Sequence, residues 1–62
     1  MSYHEAIKFF ESKGFTRNHT AYGCDMKKGE TVIQLDENDL TGCLIRGEVE
    51  RMFDFDEKEN IL

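Results

Sequence analysis

The chain reads as an α+β protein, with an N-terminal helix packed across an antiparallel sheet of three or four strands. Three observations carry that reading. Apolar residues recur at helical spacing near the N-terminus, the period changes to two after Thr16, and short polar turns separate the later apolar runs.

The helix comes first. Ser2 followed by Glu5 fits a capping box, in which each side chain satisfies a backbone N–H at a helix start. Tyr3, Ala6, Ile7 and Phe10 then follow the spacing i, i+3, i+4, i+7 and form one apolar stripe. Gly14 is placed to take the left-handed conformation that ends a helix, and Phe15 can fold back onto Phe10. These signals predict a helix over residues 3–13. Phe9 falls off the centre of the stripe, where it widens the buried face or contacts a partner.

Tyr22, Cys24 and Met26 alternate with Ala21, Gly23 and Asp25, a modest strand signal. KKGE at 27–30 reads as a hairpin turn, with Gly29 free to take positive φ. In TVIQL, Thr31, Ile33 and Leu35 share one face, while Val32 and Gln34 share the other. DEND at 36–39 is a polar turn whose side chains bond their own backbone. LTGCLIR is apolar on both faces, which suits a central strand or an edge covered by another subunit.

The segment EVERMFDFDEKE, residues 48–59, has six acidic residues among its twelve. As a strand it points Val49, Arg51, Phe53 and Phe55 one way and Glu48, Glu50, Met52, Asp54 and Asp56 the other. As a helix it would leave Phe55 off the apolar face and bury Asp56. The strand reading is favoured, with FDEKENIL resembling a strand–turn–strand phrase. Four carboxylates would then stand on one strand face, about 6.5–7 Å apart at every second residue. Such a row must face solvent or a basic partner, because burying unpaired carboxylates is costly.

Sixty-two residues make one small domain, 1–62, with a thin core. Tyr3, Ile7, Phe10, Phe15, Ile33, Leu35, Leu44, Phe53 and Phe55 are expected to form most of it. The apolar content of the sheet exceeds what one helix can cover, so a homodimer is expected. The net charge of −5 is uneven: residues 1–28 carry five basic and three acidic side chains (+2), residues 29–62 three basic and ten acidic (−7). That balance argues against direct nucleic-acid binding, which rests on Lys and Arg at phosphates. The first ten residues lack the basic start and apolar run of a signal peptide. No apolar stretch approaches the roughly 20 residues of a membrane span, and a cytoplasmic location is expected.

Chemistry-bearing motifs are sparse. His4, His19, Cys24 and Cys43 lack the close ligand spacing of zinc sites, and no metal or cofactor is expected. A Cys–His dyad has its residue types but no selecting spacing, and a chain this short hardly forms a pocket of the usual ~300–1,000 Å³. DEND and DFDEKEN lack the glycine and register of a calcium loop. The expected function is therefore non-enzymatic. The acidic face, with Met52 at its middle and Phe9 in reserve, would dock on a basic surface of another protein, one that itself holds nucleic acid. The contacts expected to carry it are Glu48, Glu50, Met52, Asp54, Asp56 and Phe9. In size, acidity and layout, though in no motif, the chain resembles the short host-directed proteins of bacteriophages, some of which block nucleic-acid enzymes. The competing readings are a small ligand- or metal-binding protein using His19, Cys24 and Cys43, and a structural subunit of a larger assembly. In a third, the charges only guard an edge strand against aggregation.

Overall fold

The computed structural model describes residues 2–62. Helix α1 spans Tyr3–Ser12. Its cap is Ser2, whose Oγ accepts the Glu5 N–H at 3.1 Å and donates to the Glu5 carboxylate at 3.2 Å. Ala6, Ile7 and Phe10 are its buried stripe. Gly14, at φ +95°, ends it. The Phe15 N–H reaches back to the Phe10 carbonyl at 3.1 Å, and the two rings meet edge to face at 5.7 Å. This is the six-to-one bond and apolar contact of a Schellman stop.

Five strands follow: β1 Thr16–His19, β2 Gly23–Lys28, β3 Thr31–Asp36, β4 Thr41–Arg46 and β5 Val49–Asp54. They form one antiparallel meander in chain order. Two of its connections use the same dipeptide. Gly29–Glu30 links β2 to β3 and Gly47–Glu48 links β4 to β5, with the glycines at φ +58° and +60°. Glycine at the first of two loop residues is the requirement of a type II′ hairpin, whose twist matches the flanking strands. Between β3 and β4, Asp36 Oδ1 accepts the N–H groups of Asn38 and Asp39, both at 2.9 Å.

Alternation across the sheet builds the core. Met26, Ile33 and Leu44 form one cross-strand row, and Cys24, Leu35, Gly42 and Phe53 form the next. Alpha1 lies against this face, where Phe10 meets the Phe53 ring at 6.1 Å. Gly42 is needed there: a Cβ on it would stand 2.5 Å from Phe53 Cζ, so the ring crosses β4 over the bare backbone. A 3₁₀ helix, Phe55–Asn60, closes the far end and buries Phe55 and the stem of Lys58.

The α+β class is as expected, but the sheet has five strands rather than three or four. The additional strand is β1, TRNH, whose four residues are all exposed. A polar edge strand has no apolar alternation to announce it. Leu40, expected to begin a strand, instead sits in the β3–β4 loop at φ +55°. Tyr22 precedes β2 and is 74% exposed. Residues 49–54 are strand as favoured, but the chain then turns into the 3₁₀ helix in place of a second strand. There the Glu57 carboxylate accepts the Asp54 N–H at 3.3 Å. Eight of the nine expected core residues are buried; Tyr3 is only partly so, and Ala6, Cys24 and Met26 join them. Among the described residues, no helix is long and apolar enough to cross a membrane.

Candidate functional site

Alpha1 and the 3₁₀ helix cover one face of the sheet; the other lies open. Strand register defines what the open face presents. One row runs Thr16, Lys27, Val32, Ile45, Glu50; the next runs Asn18, Asp25, Gln34, Cys43, Met52; a third holds Gly23, Asp36, Thr41 and Asp54. Val32, Cys43 and Ile45 are half-buried among their neighbours, and Met52 stands 72% exposed beside them. Thus β4 contributes a half-buried column of Thr41, Cys43 and Ile45, apolar at Cys43 and Ile45, with β3 on one side and β5 on the other. Tyr22, Asp25, Cys43, Ile45, Glu50 and Met52 are among the residues lining an open depression of about 610 Å³ on this face.

The strands sort their charges by face. The open side carries Asp25, Asp36, Glu50 and Asp54 against the single Lys27. The covered side carries Arg17, Lys28, Arg46 and Arg51 and no carboxylate. Two of these cations have local partners: Lys28 Nζ donates to the Lys13 carbonyl at 2.7 Å, and Arg46 Nε to Thr31 Oγ1 at 3.0 Å. Among the described residues, no ion pair neutralises Asp25, Asp36, Glu50 or Asp54. The open face is therefore an apolar centre with an acidic margin, whose four strand carboxylates make no ion pair among the described residues.

Three of the six expected contacts meet here: Glu50, Met52 and Asp54. The other three do not. Glu48 lies in the β4–β5 hairpin loop and Asp56 in the 3₁₀ helix, so the expected row of four carboxylates along one strand is not formed. Phe9 is on the opposite side of the sheet, half-buried, edge-on to Phe10 at 5.1 Å. The Lys13 and Lys58 ammonium groups lie 5.5 and 5.1 Å from its ring centroid. It widens the core and is capped by cations. Conversely, Asp25, Asp36, Tyr22 and Ile45 belong to the face and were not singled out from sequence. For Asp25 and Ile45 the signal was the strand alternation, which set each opposite the core residues of its own strand. The alternation grouped Tyr22 with Cys24 and Met26 on the covered side, and assembling the face required the register.

His19, Cys24 and Cys43 do not converge. His19 and Cys24 are cross-strand neighbours on the covered side, whereas Cys43 is on the open side, and both cysteines are free. Burial raises the Cys24 thiol above its ordinary value, and burial likewise raises the Tyr3 hydroxyl; the Cys24 Sγ lies 3.8 Å from Met26 Sδ within the core. Among the described residues, no three His, Cys, Asp or Glu side chains are grouped to hold a metal ion.

The fold and this face together describe a two-layer α+β module with one layer left uncovered. Compared with protein-family models, with curated proteins and with solved structures, the chain matches none.

Proposed function

We propose that this is a non-enzymatic protein-binding module that docks its open sheet face on a basic surface of another protein. The observation that carries the reading is the pairing of an uncovered apolar centre (Val32, Cys43, Ile45, Met52) with four carboxylates at its margin that have no ion-pair partner among the described residues. Apolar anchors that lose water on contact supply most of the affinity of such interfaces, while charges at the rim steer encounter and select the partner. A partner surface that ordinarily holds nucleic acid has the required charge. Occupying it would make the protein an inhibitor or modulator of the kind bacteriophages direct at their hosts, working in the cytoplasm.

The test is a pull-down from bacterial lysate with four folded proteins: wild type, Glu50→Lys/Asp54→Lys, Met52→Ala, and Arg17→Glu on the covered side. A protein retained by wild type and Arg17→Glu, lost by the two open-face variants and displaced by added DNA, supports the reading. Equal retention by all four removes the open face from recognition. The carboxylates would then act only as guards against strand-edge aggregation.

A further inference from the structure

Resting on that reading, we infer that the partner element seated on the open face is a single amphipathic, basic α-helix lying along β4. The first argument is width. Asp36 and Asp54 lie two strands apart, about 10 Å, and Asp25 and Glu50 three strands apart, about 14 Å. An α-helix with its side chains is about 10–12 Å across. One helix centred on β4 therefore fills the space between the two acidic margins. It would set its apolar stripe on Thr41, Cys43, Ile45 and Met52 and carry Lys or Arg to both flanks.

The second argument is hydration. A second sheet packed here would cover Asp25, Asp36, Glu50 and Asp54 together, and burying carboxylates costs more than their pairing returns unless each pair is well made. Under a helix the same groups remain at a wet rim. An extended strand laid on the face would leave its own backbone groups unpaired.

The third argument is that the chain already solves this problem once. Alpha1 covers the opposite face with Ala6, Ile7 and Phe10 spaced along one stripe. A second copy cannot provide the missing helix. The apolar stripe of α1 is committed to its own core, and its exposed residues, His4, Glu5, Lys8, Glu11 and Ser12, offer neither an apolar stripe nor a cationic margin.

The length follows as well. Thr41 to Ile45 spans about 14 Å of strand, and one further turn of helix brings the contact to about 20 Å, or about 13–14 residues. The probe is a synthetic peptide of that length, with leucines at i, i+3, i+7 and i+10 and lysines beside them. Its control has the same composition but no stripe.

Titration into ¹⁵N-labelled protein should give a micromolar Kd for the striped peptide. Shifts should concentrate at Thr41, Cys43, Ile45, Glu50 and Met52, and helical circular dichroism should increase. Glu50→Lys/Asp54→Lys should weaken binding at least tenfold, and Met52→Ala should weaken it with the fold intact. Equal binding of the control, or shifts on the α1 side, overturns the helix. If neither peptide binds while a lysate protein is still captured through Glu50, Met52 and Asp54, the helix is overturned and the protein-binding reading stands. If that capture fails too, both fall.

Discussion

Replacing Gly42 with alanine tests how the core and the open face share one sheet. The new Cβ would stand 2.5 Å from Phe53 Cζ, 2.8 Å from Cε1 and 3.1 Å from the Gln34 carbonyl oxygen. Carbon atoms in contact prefer about 3.5–4.0 Å, so the ring must retreat by about 1 Å. Retreat pushes it against Phe10, which is fully buried and already in contact. Overpacking of this kind costs about 1–3 kcal/mol. Restricting the unfolded chain returns about 0.4–1 kcal/mol. The net loss is about 1–2 kcal/mol, and a domain of this size loses about 4–8 °C per kcal/mol. Gly42→Ala should therefore lower Tm by roughly 4–16 °C, followed by circular dichroism. In a Phe53→Leu background the clashing ring atoms are gone, and the same alanine should be neutral or slightly stabilising. An equal loss in both backgrounds, or a higher Tm for the single variant, would refute the argument that Gly42 exists to admit the ring.

Three further outcomes follow from the structure. Cys43 is half-buried on the open face and Cys24 fully buried, so a thiol reagent should label Cys43 in the native protein and Cys24 only at the rate of unfolding; equal labelling would place Cys24 wrongly. Burial raises both Cys24 and Tyr3, so each is held neutral in the fold, and the unfolded chain releases its proton first as pH rises. Stability is then intact below about pH 8.5 and falls as pH climbs past the unfolded thiol and phenol values, about 8.5 and 10. A urea midpoint that drops over this range in wild type and less in Tyr3→Phe/Cys24→Ala checks it; identical profiles would sink it. Leu40 holds φ +55°, a region open to asparagine and unfavourable to β-branched residues. Leu40→Asn should match or raise the stability of wild type while Leu40→Val lowers it by about 1 kcal/mol or more, and the reverse order would contradict the loop geometry.

Legibility in the sequence followed the strength of local signals. The helix could be read at both ends because Ser2, Glu5, Gly14 and Phe15 act on neighbouring backbone, and its stripe needs no distant partner. β3 was equally plain, since Thr31, Ile33 and Leu35 alternate cleanly with Val32 and Gln34. Beta1 was hidden because its stability comes from hydrogen bonds to β2 and not from buried side chains. Phe55 misled in a different way. It continues the alternation of Val49, Arg51 and Phe53, yet the chain has already left the strand and buries the ring from the start of the 3₁₀ helix. The open face was half visible. Residues 50–54 displayed their pattern within one strand, whereas Asp25 and Asp36 join them only through pairings that no local signal encodes.

The homodimer expected from the apolar content of the sheet and the basic helical partner compete for the same face, and salt separates them by sign. A two-fold dimer pairs a surface with itself, so Asp25, Asp36, Glu50 and Asp54 of both copies would be brought together with only Lys27 of each to offset them. That repulsion is screened as the Debye length shrinks from about 10 Å at 0.1 M salt to about 3 Å at 1 M. Self-association through this face must therefore strengthen with salt, while docking of a cationic helix must weaken over the same range. Sedimentation of the chain alone at about 0.05 M and 0.5 M salt, beside peptide titrations at the same concentrations, reads both signs. A monomer at low salt whose peptide affinity falls several-fold at high salt fits a basic partner. A dimer that tightens with salt, with the peptide failing to bind at either concentration, would give the open face to a second copy, and its carboxylates would then limit how tightly that copy is held.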